Sequence, residues 1–113
     1  MGVLAIATSG MQAAVARLDV SASNIANSPL ESAMPADGGH TAPIAPAQPY
    51  APQQVVQFPL ADGGVGVQVQ SQSGDDLGLD LVTQMMALAQ FKANAEVFQT
   101  GEEAMKSLLS LKA

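Results

Sequence analysis

The sequence predicts a mainly α protein. Long N- and C-terminal helices pack as an antiparallel, coiled-coil-like pair, with a Pro-rich linker and a small β-hairpin between them. Three observations predict it. Asp80 to Lys112 runs without proline, and its apolar residues fall at helical spacing, which suits a helix of about 33 residues, roughly 50 Å long. Residues 3–27 carry a matching seven-residue recurrence of large apolar side chains. Between these segments lie a proline-rich stretch and then two short runs of strand character. A chain of 113 residues that spends so much of itself on one rod is not an ordinary compact globule.

In the first helical segment Leu4, Met11, Leu18 and Ile25 are seven apart, and Ala7, Ala14 and Ser21 repeat three places later. Large residues at that spacing signal a coiled-coil seam, and small ones beside them permit close helix approach. Gln12, Arg17, Asp19 and Ser23 mark the opposite face. Asn24 and Asn27, followed by Ser28-Pro29, are expected to end the helix, since proline biases its predecessor away from helix.

Residues 28–52 hold six of the seven prolines, with Gly38-Gly39 and many alanines. No periodicity survives, so this is read as a linker. His40, the only histidine, sits in it and is expected to be solvated rather than a ligand. Residues 53–60 and 65–71 read as strands, the second from the alternation of Val65, Val67 and Val69 with Gly66, Gln68 and Gln70. Ala61-Asp62-Gly63-Gly64 has hairpin-turn composition. Pro59 cannot donate a ladder hydrogen bond, so the first strand is an edge or stops there. A lone hairpin is marginal in water, so it must lean on a helix or another subunit.

Asp75, Asp76 and Asp80 lie near the start of the last helix, where carboxylates suit the positive end of the helix dipole. Calcium-loop spacing is absent. Within the helix Phe91, Phe98 and Met105 are seven apart, as are Leu81, Leu88 and Ala95, with Leu109 on the same row beyond Glu102. Met85, Met86, Val97 and Leu108 widen the apolar arc beyond a two-stranded seam, which implies more than one neighbouring helix. Gly101, in the interior, marks a kink or a close contact, or is merely tolerated. The organisation is thus 1–27 helix, 28–52 linker, 53–72 hairpin and 73–113 helix, the two ends forming one domain.

Composition narrows the function. About 12% of residues are charged and the net charge is −6, which argues against nucleic acid and anionic membrane as partners, since both need clustered Lys and Arg. With no cysteine, disulfides and thiolate metal sites are excluded. No run is expected to be apolar for long enough to cross a bilayer. The N-terminal stretch lacks the basic n-region of a secretory signal, and Thr8, Ser9, Gly10 and Gln12 interrupt its apolar block. No nucleophile, acid–base pair, phosphate loop or metal motif emerges: Gly63-Gly64-Val65-Gly66 is not followed by a helix, and Asp75 and Asp76 sit in a polar linker. An enzyme, a cofactor and a metal are not expected. Two thin helices bury little area, so assembly with copies or relatives is the natural remedy.

Ser9-Gly10-Met11-Gln12-Ala13-Ala14, followed by Arg17-Leu18-Asp19-Val20-Ser21-Ala22-Ser23-Asn24-Ile25-Ala26-Asn27, resembles the N-terminal signature of bacterial flagellar rod and hook proteins. There a small-Gly-Leu-x-Ala start leads to Ala-x-Asn-Ile-Ala-Asn. Asp80-Leu81-Val82 with Met85-Met86, then Phe91 to Thr100 and Met105 to Leu111, is similar to the C-terminal signature of the same family. Pro49 to Phe58 and Gly64 to Val67 resemble its proximal-rod branch. Gly74 to Asp80 stands in place of a longer family segment, and Phe91 in place of a tyrosine.

The resemblance implies a structural subunit of the basal-body rod, which spans the periplasm. It would be exported through the flagellar type III apparatus and would assemble through its terminal helices with other rod subunits and copies of itself. The assembly residues it implies are Leu4, Met11, Leu18, Ile25, Asn24, Asn27, Leu81, Leu88, Phe91, Asn94, Phe98, Met105 and Leu109. Asn24, Asn27 and Asn94 match family positions, where capping and buried hydrogen bonding outweigh recognition. The alternative is a small helical export chaperone or adaptor. A rod subunit should be weakly helical as a dilute monomer and order on assembly, whereas an adaptor should melt cooperatively by itself.

Overall fold

The computed structural model describes residues 2–32, 50–74 and 76–112. In chain order these form α1 (Val3–Ser32), β1 (Gln53–Pro59), β2 (Val65–Ser71) and α2 (Leu77–Lys112). The two helices are antiparallel. Leu4 of α1 lies against Gly101 of α2, Gly10 against Asn94, and Ser21 against Asp80. The molecule is long and thin, 78 × 25 × 21 Å.

α1 runs through Ser28-Pro29 to Ser32, five residues past the expected stop at Asn27. Proline disfavours helix at the residue before it as a bias, and within a helix it removes one amide donor rather than every bond around it. Asn27 is therefore not a terminator; its Nδ2 donates to the Ser23 carbonyl at 2.7 Å. The remaining linker residues 33–49, His40 among them, and Asp75 lie outside the described residues. α2 starts at Leu77, three residues before the expected Asp80. Asp76 caps it, its Oδ1 accepting from the amides of Gly78 at 2.9 Å and Leu79 at 3.2 Å, which satisfies donors that a helix start leaves free.

β1 and β2 pair antiparallel from Gln53↔Ser71 to Pro59↔Val65. β1 stops at Pro59, as the missing donor requires. The Gly63 amide donates to the Leu60 carbonyl at 3.0 Å and the Leu60 amide to the Gly64 carbonyl at 2.9 Å. Gly63 has φ of 89°, the left-handed geometry that closes a three-residue hairpin loop and favours glycine. Seven strand residues span about the same length as the α1 stretch from Ser9 to Asn24, and the hairpin lies along it. Val65 donates its amide to Ser9 Oγ at 3.1 Å at one end, and Gln53 meets Asn24 at the other. The hairpin therefore leans on a helix. α1 is the middle element, with α2 on one side and the hairpin on the other.

By length and hydropathy alone Val3–Ser28, with mean hydropathy 1.2, meets the minimum for a bilayer span, contrary to the sequence expectation. Alanine and valine carry that value. In this fold the same helix uses its polar Ser9, Ser21 and Asn24 to hold the hairpin and α2.

Apart from Pro52, the buried apolar side chains among the described residues are alanines: Ala7, Ala13, Ala14 and Ala87. Gly10 and Ser21 complete the centre of the α1–α2 contact. The small row Ala7/Ala14/Ser21 is thus the axis of contact, and the large row Leu4/Met11/Leu18/Ile25 is a half-buried flank. The backbones approach closely because little stands between them. A buried methyl contributes only about 0.8 kcal/mol, so this core stabilises modestly.

Candidate functional site

Two surfaces qualify: a buried polar node that locks the three elements together, and an apolar outer face. The node is centred on Asn24, which is 1% exposed. Its Nδ2 donates to the Gln53 carbonyl at 2.8 Å and to Asp80 Oδ1 at 3.3 Å. Its Oδ1 accepts from the Gln53 amide at 3.0 Å and the Tyr50 hydroxyl at 2.8 Å. One side chain so joins α1, the entry to β1 and the first turn of α2. Ser21 adds a 2.7 Å bond to the Asp80 carbonyl. Asp80, expected only as a carboxylate suited to the start of the helix, is 7% exposed and belongs to this node. A buried amide that makes bonds at both its ends fixes register.

Further along, Arg17 donates to Gln90 Oε1 at 3.1 Å. Asn94 donates to the Gln90 carbonyl at 2.9 Å, and its side chain fills the space over Gly10. Gly101 has a side-chain tip beside it: a Cβ there would come within 2.9 Å of Leu4 Cδ2. An open cleft of about 310 Å³ lies where the hairpin, α1 and α2 meet, with Arg17, Ser21 and Thr83 beside Val20, Leu79 and Met86. Among the described residues no group of three or more His, Cys, Asp or Glu stands close enough to hold a metal ion.

The implied assembly residues divide sharply. Asn24 is buried, and Leu4, Met11, Leu18, Ile25, Asn27, Phe91, Asn94 and Phe98 are half-buried along the pair. Leu81 and Leu88 are about half exposed, and Met105 and Leu109 are 51% and 69% exposed. Met85, Leu108 and Leu111, at 73%, 67% and 80%, are more exposed than most of the implied set.

Residues 4–28 match the family of the flagella basal body rod protein. The match supports the flagellar basal-body rod family and falls on α1, the middle element of the fold. No curated protein matches the chain. Within the rod-family segment lie the small-residue axis, Gly10 and Asn24, so the matched stretch is the part that contacts both α2 and the hairpin.

The sequence pointed to Asn24 and to Gly101. It missed Tyr50, Gln53 and Asp80 as partners of Asn24. A polar residue set among Ser21, Ala22 and Ile25 on an apolar helix was the available signal. Its partners come from two other elements, and spacing along one helix cannot name them.

Proposed function

We propose that this chain is a structural, non-catalytic subunit of the bacterial flagellar basal-body rod. Its terminal helices assemble with copies of itself and with other rod subunits into the axial drive shaft. The observation that carries the reading is the rod-family match over residues 4–28. The fold agrees with it: a thin helix pair with an alanine core leaves Leu81, Val82, Met85, Met86 and Leu88 exposed along α2, and clustered exposed apolar side chains suit an interaction surface.

The finer reading is a subunit of the proximal rod, FlgC-like, exported through the flagellar type III apparatus to a rod that spans the periplasm. It rests on the resemblance of the Pro49–Phe58 and Gly64–Val67 segments. In this reading the interface with neighbouring subunits is formed by Leu4, Met11, Leu18, Ile25, Leu81, Leu88, Phe91, Phe98, Met105 and Leu109. Asn24, Asn27 and Asn94 hold the subunit's own shape.

Deleting the gene in the source bacterium and imaging its basal bodies tests this reading. Truncated or missing rods and loss of motility are expected, both restored by the gene in trans. Intact rods and normal swimming would overturn it. A chain that melts cooperatively as a dilute monomer would favour the helical adaptor instead.

A further inference from the structure

α2 outruns its partner. Leu4 sits over Gly101 and α1 begins at Val3, so Glu102–Lys112, about three turns, has no α1 beside it. Met105, Leu108 and Leu109 nevertheless continue the inward stripe of Ala87, Phe91 and Phe98 by helical spacing. On the outer face of α1 runs an apolar groove of about 470 Å³ between Thr8 and Asp19, floored by Met11, Val15 and Ala16 and walled by Phe91.

We propose that the Glu102–Lys112 tail of one copy seats in the Thr8–Asp19 groove of a second copy. The tail cannot fill its own groove. α2 is one continuous helix to Lys112, and its end points away past the start of α1. Groove and tail match in length, each about three turns. Met105, Leu108 and Leu109 have the i, i+3, i+4 arrangement of helix-in-groove anchors.

Charge sets the direction. Glu103 and Glu102, the latter paired with Lys106 at 3.1 Å, stand at the root of the tail and Lys112 at its tip, while the charged residue lining the groove is Asp19. With the docked helices parallel, Lys112 falls beside Asp19 and the acids fall beside uncharged Thr8. That direction inverts one copy relative to the other, so a two-fold axis relates them and each tail fills the other's groove. The contacts are short, in the size range of weak and transient interfaces. Pairing is therefore a high-concentration event, and the dilute chain stays monomeric. The inference goes beyond the rod reading: a closed pair covers the exposed tails of copies outside any larger assembly.

The absence of cysteine makes disulfide trapping clean. Full-length Leu108→Cys and Val15→Cys copies, mixed at high concentration and oxidised, should form the mixed disulfide about tenfold faster than Leu108→Cys with Gln68→Cys on the outer hairpin face, because docking raises the effective concentration. Sedimentation should show a concentration-dependent dimer that Leu108→Ser/Leu109→Ser abolishes without loss of helical circular dichroism. Equal trapping rates, a wild-type chain that stays monomeric at every concentration, or a double variant that pairs like the wild type would each overturn the proposal. The rod reading is tested separately: intact flagella after gene deletion would leave the pairing standing, and failed trapping would leave the rod reading standing.

Discussion

Two stretches of α2 have similar amino-acid chemistry and opposite fates. From Asp80 to Gly101 the helix lies against α1, and the side chains at the centre of contact are small: Ala87 meets a row of Ala7, Gly10, Ala14 and Ser21. From Glu102 to Lys112 it stands clear, and the same face carries Met105, Leu108 and Leu109, each more than half exposed. An ordinary globule buries large apolar residues such as Leu, Met and Phe along with its small ones. Here only the small ones reach the core. Small residues serve the contact the chain makes with itself, because only they let two backbones approach. Large residues are left at the surface.

The comparison gives a gradient of expected effects along the pair, read by urea titration of the helical signal where the wild type is folded. The largest belongs to Asn24→Ala at the node. It strands the Gln53 amide and carbonyl together with the Tyr50 hydroxyl, and should cost about 3 kcal/mol. A loss under about 1 kcal/mol would show that the node does not hold the hairpin to the helices.

Next is Gly10→Ala. Its Cβ would come within 2.7 Å of three Asn94 side-chain atoms, and Asn94 is held by its bond to the Gln90 carbonyl. Overpacking should outweigh the gain in helix propensity and cost about 1–2 kcal/mol net. Combined with Asn94→Ala, the same change should become neutral or stabilising, since the obstruction is gone. A double variant as unstable as Gly10→Ala alone would break the assignment of close approach to this pair.

At the boundary the sign reverses. Gly101→Ala meets only the far end of Leu4 at 2.9 Å, a flexible tip that can swing away. Helix propensity should then dominate, leaving stability unchanged or raised by up to about 1 kcal/mol. Beyond the boundary Leu109→Ser should change the stability of the single chain by less than about 0.5 kcal/mol, because Leu109 is 69% exposed. A large loss there would mean that the tail is folded against its own chain.

The seven-residue rows of both ends were legible in the sequence, as were the hairpin and its turn, because helix and strand periods are local properties of the chain. So was the wide apolar arc of α2. The C-terminal end of α1 was not. Ser28-Pro29 is a local stop signal, and the helix passes through it. Asp76 and Asp80 were read together as capping carboxylates at the helix start; Asp76 caps it, whereas Asp80 is buried against Ser21 and Asn24. Residues of one type a single turn apart look alike in sequence; the direction each faces depends on which helix lies alongside.

By itself, then, the sequence determined the elements, their order and the surplus of apolar surface, since each follows from spacing along one segment. Only the tertiary structure decided the register of α1 on α2. That register follows from where Gly10 admits Asn94 and where Asn24 and Ser21 reach Asp80, all contacts between residues far apart in the chain. The register in turn decides that α2 ends about three turns beyond its partner, with Met105, Leu108 and Leu109 uncovered.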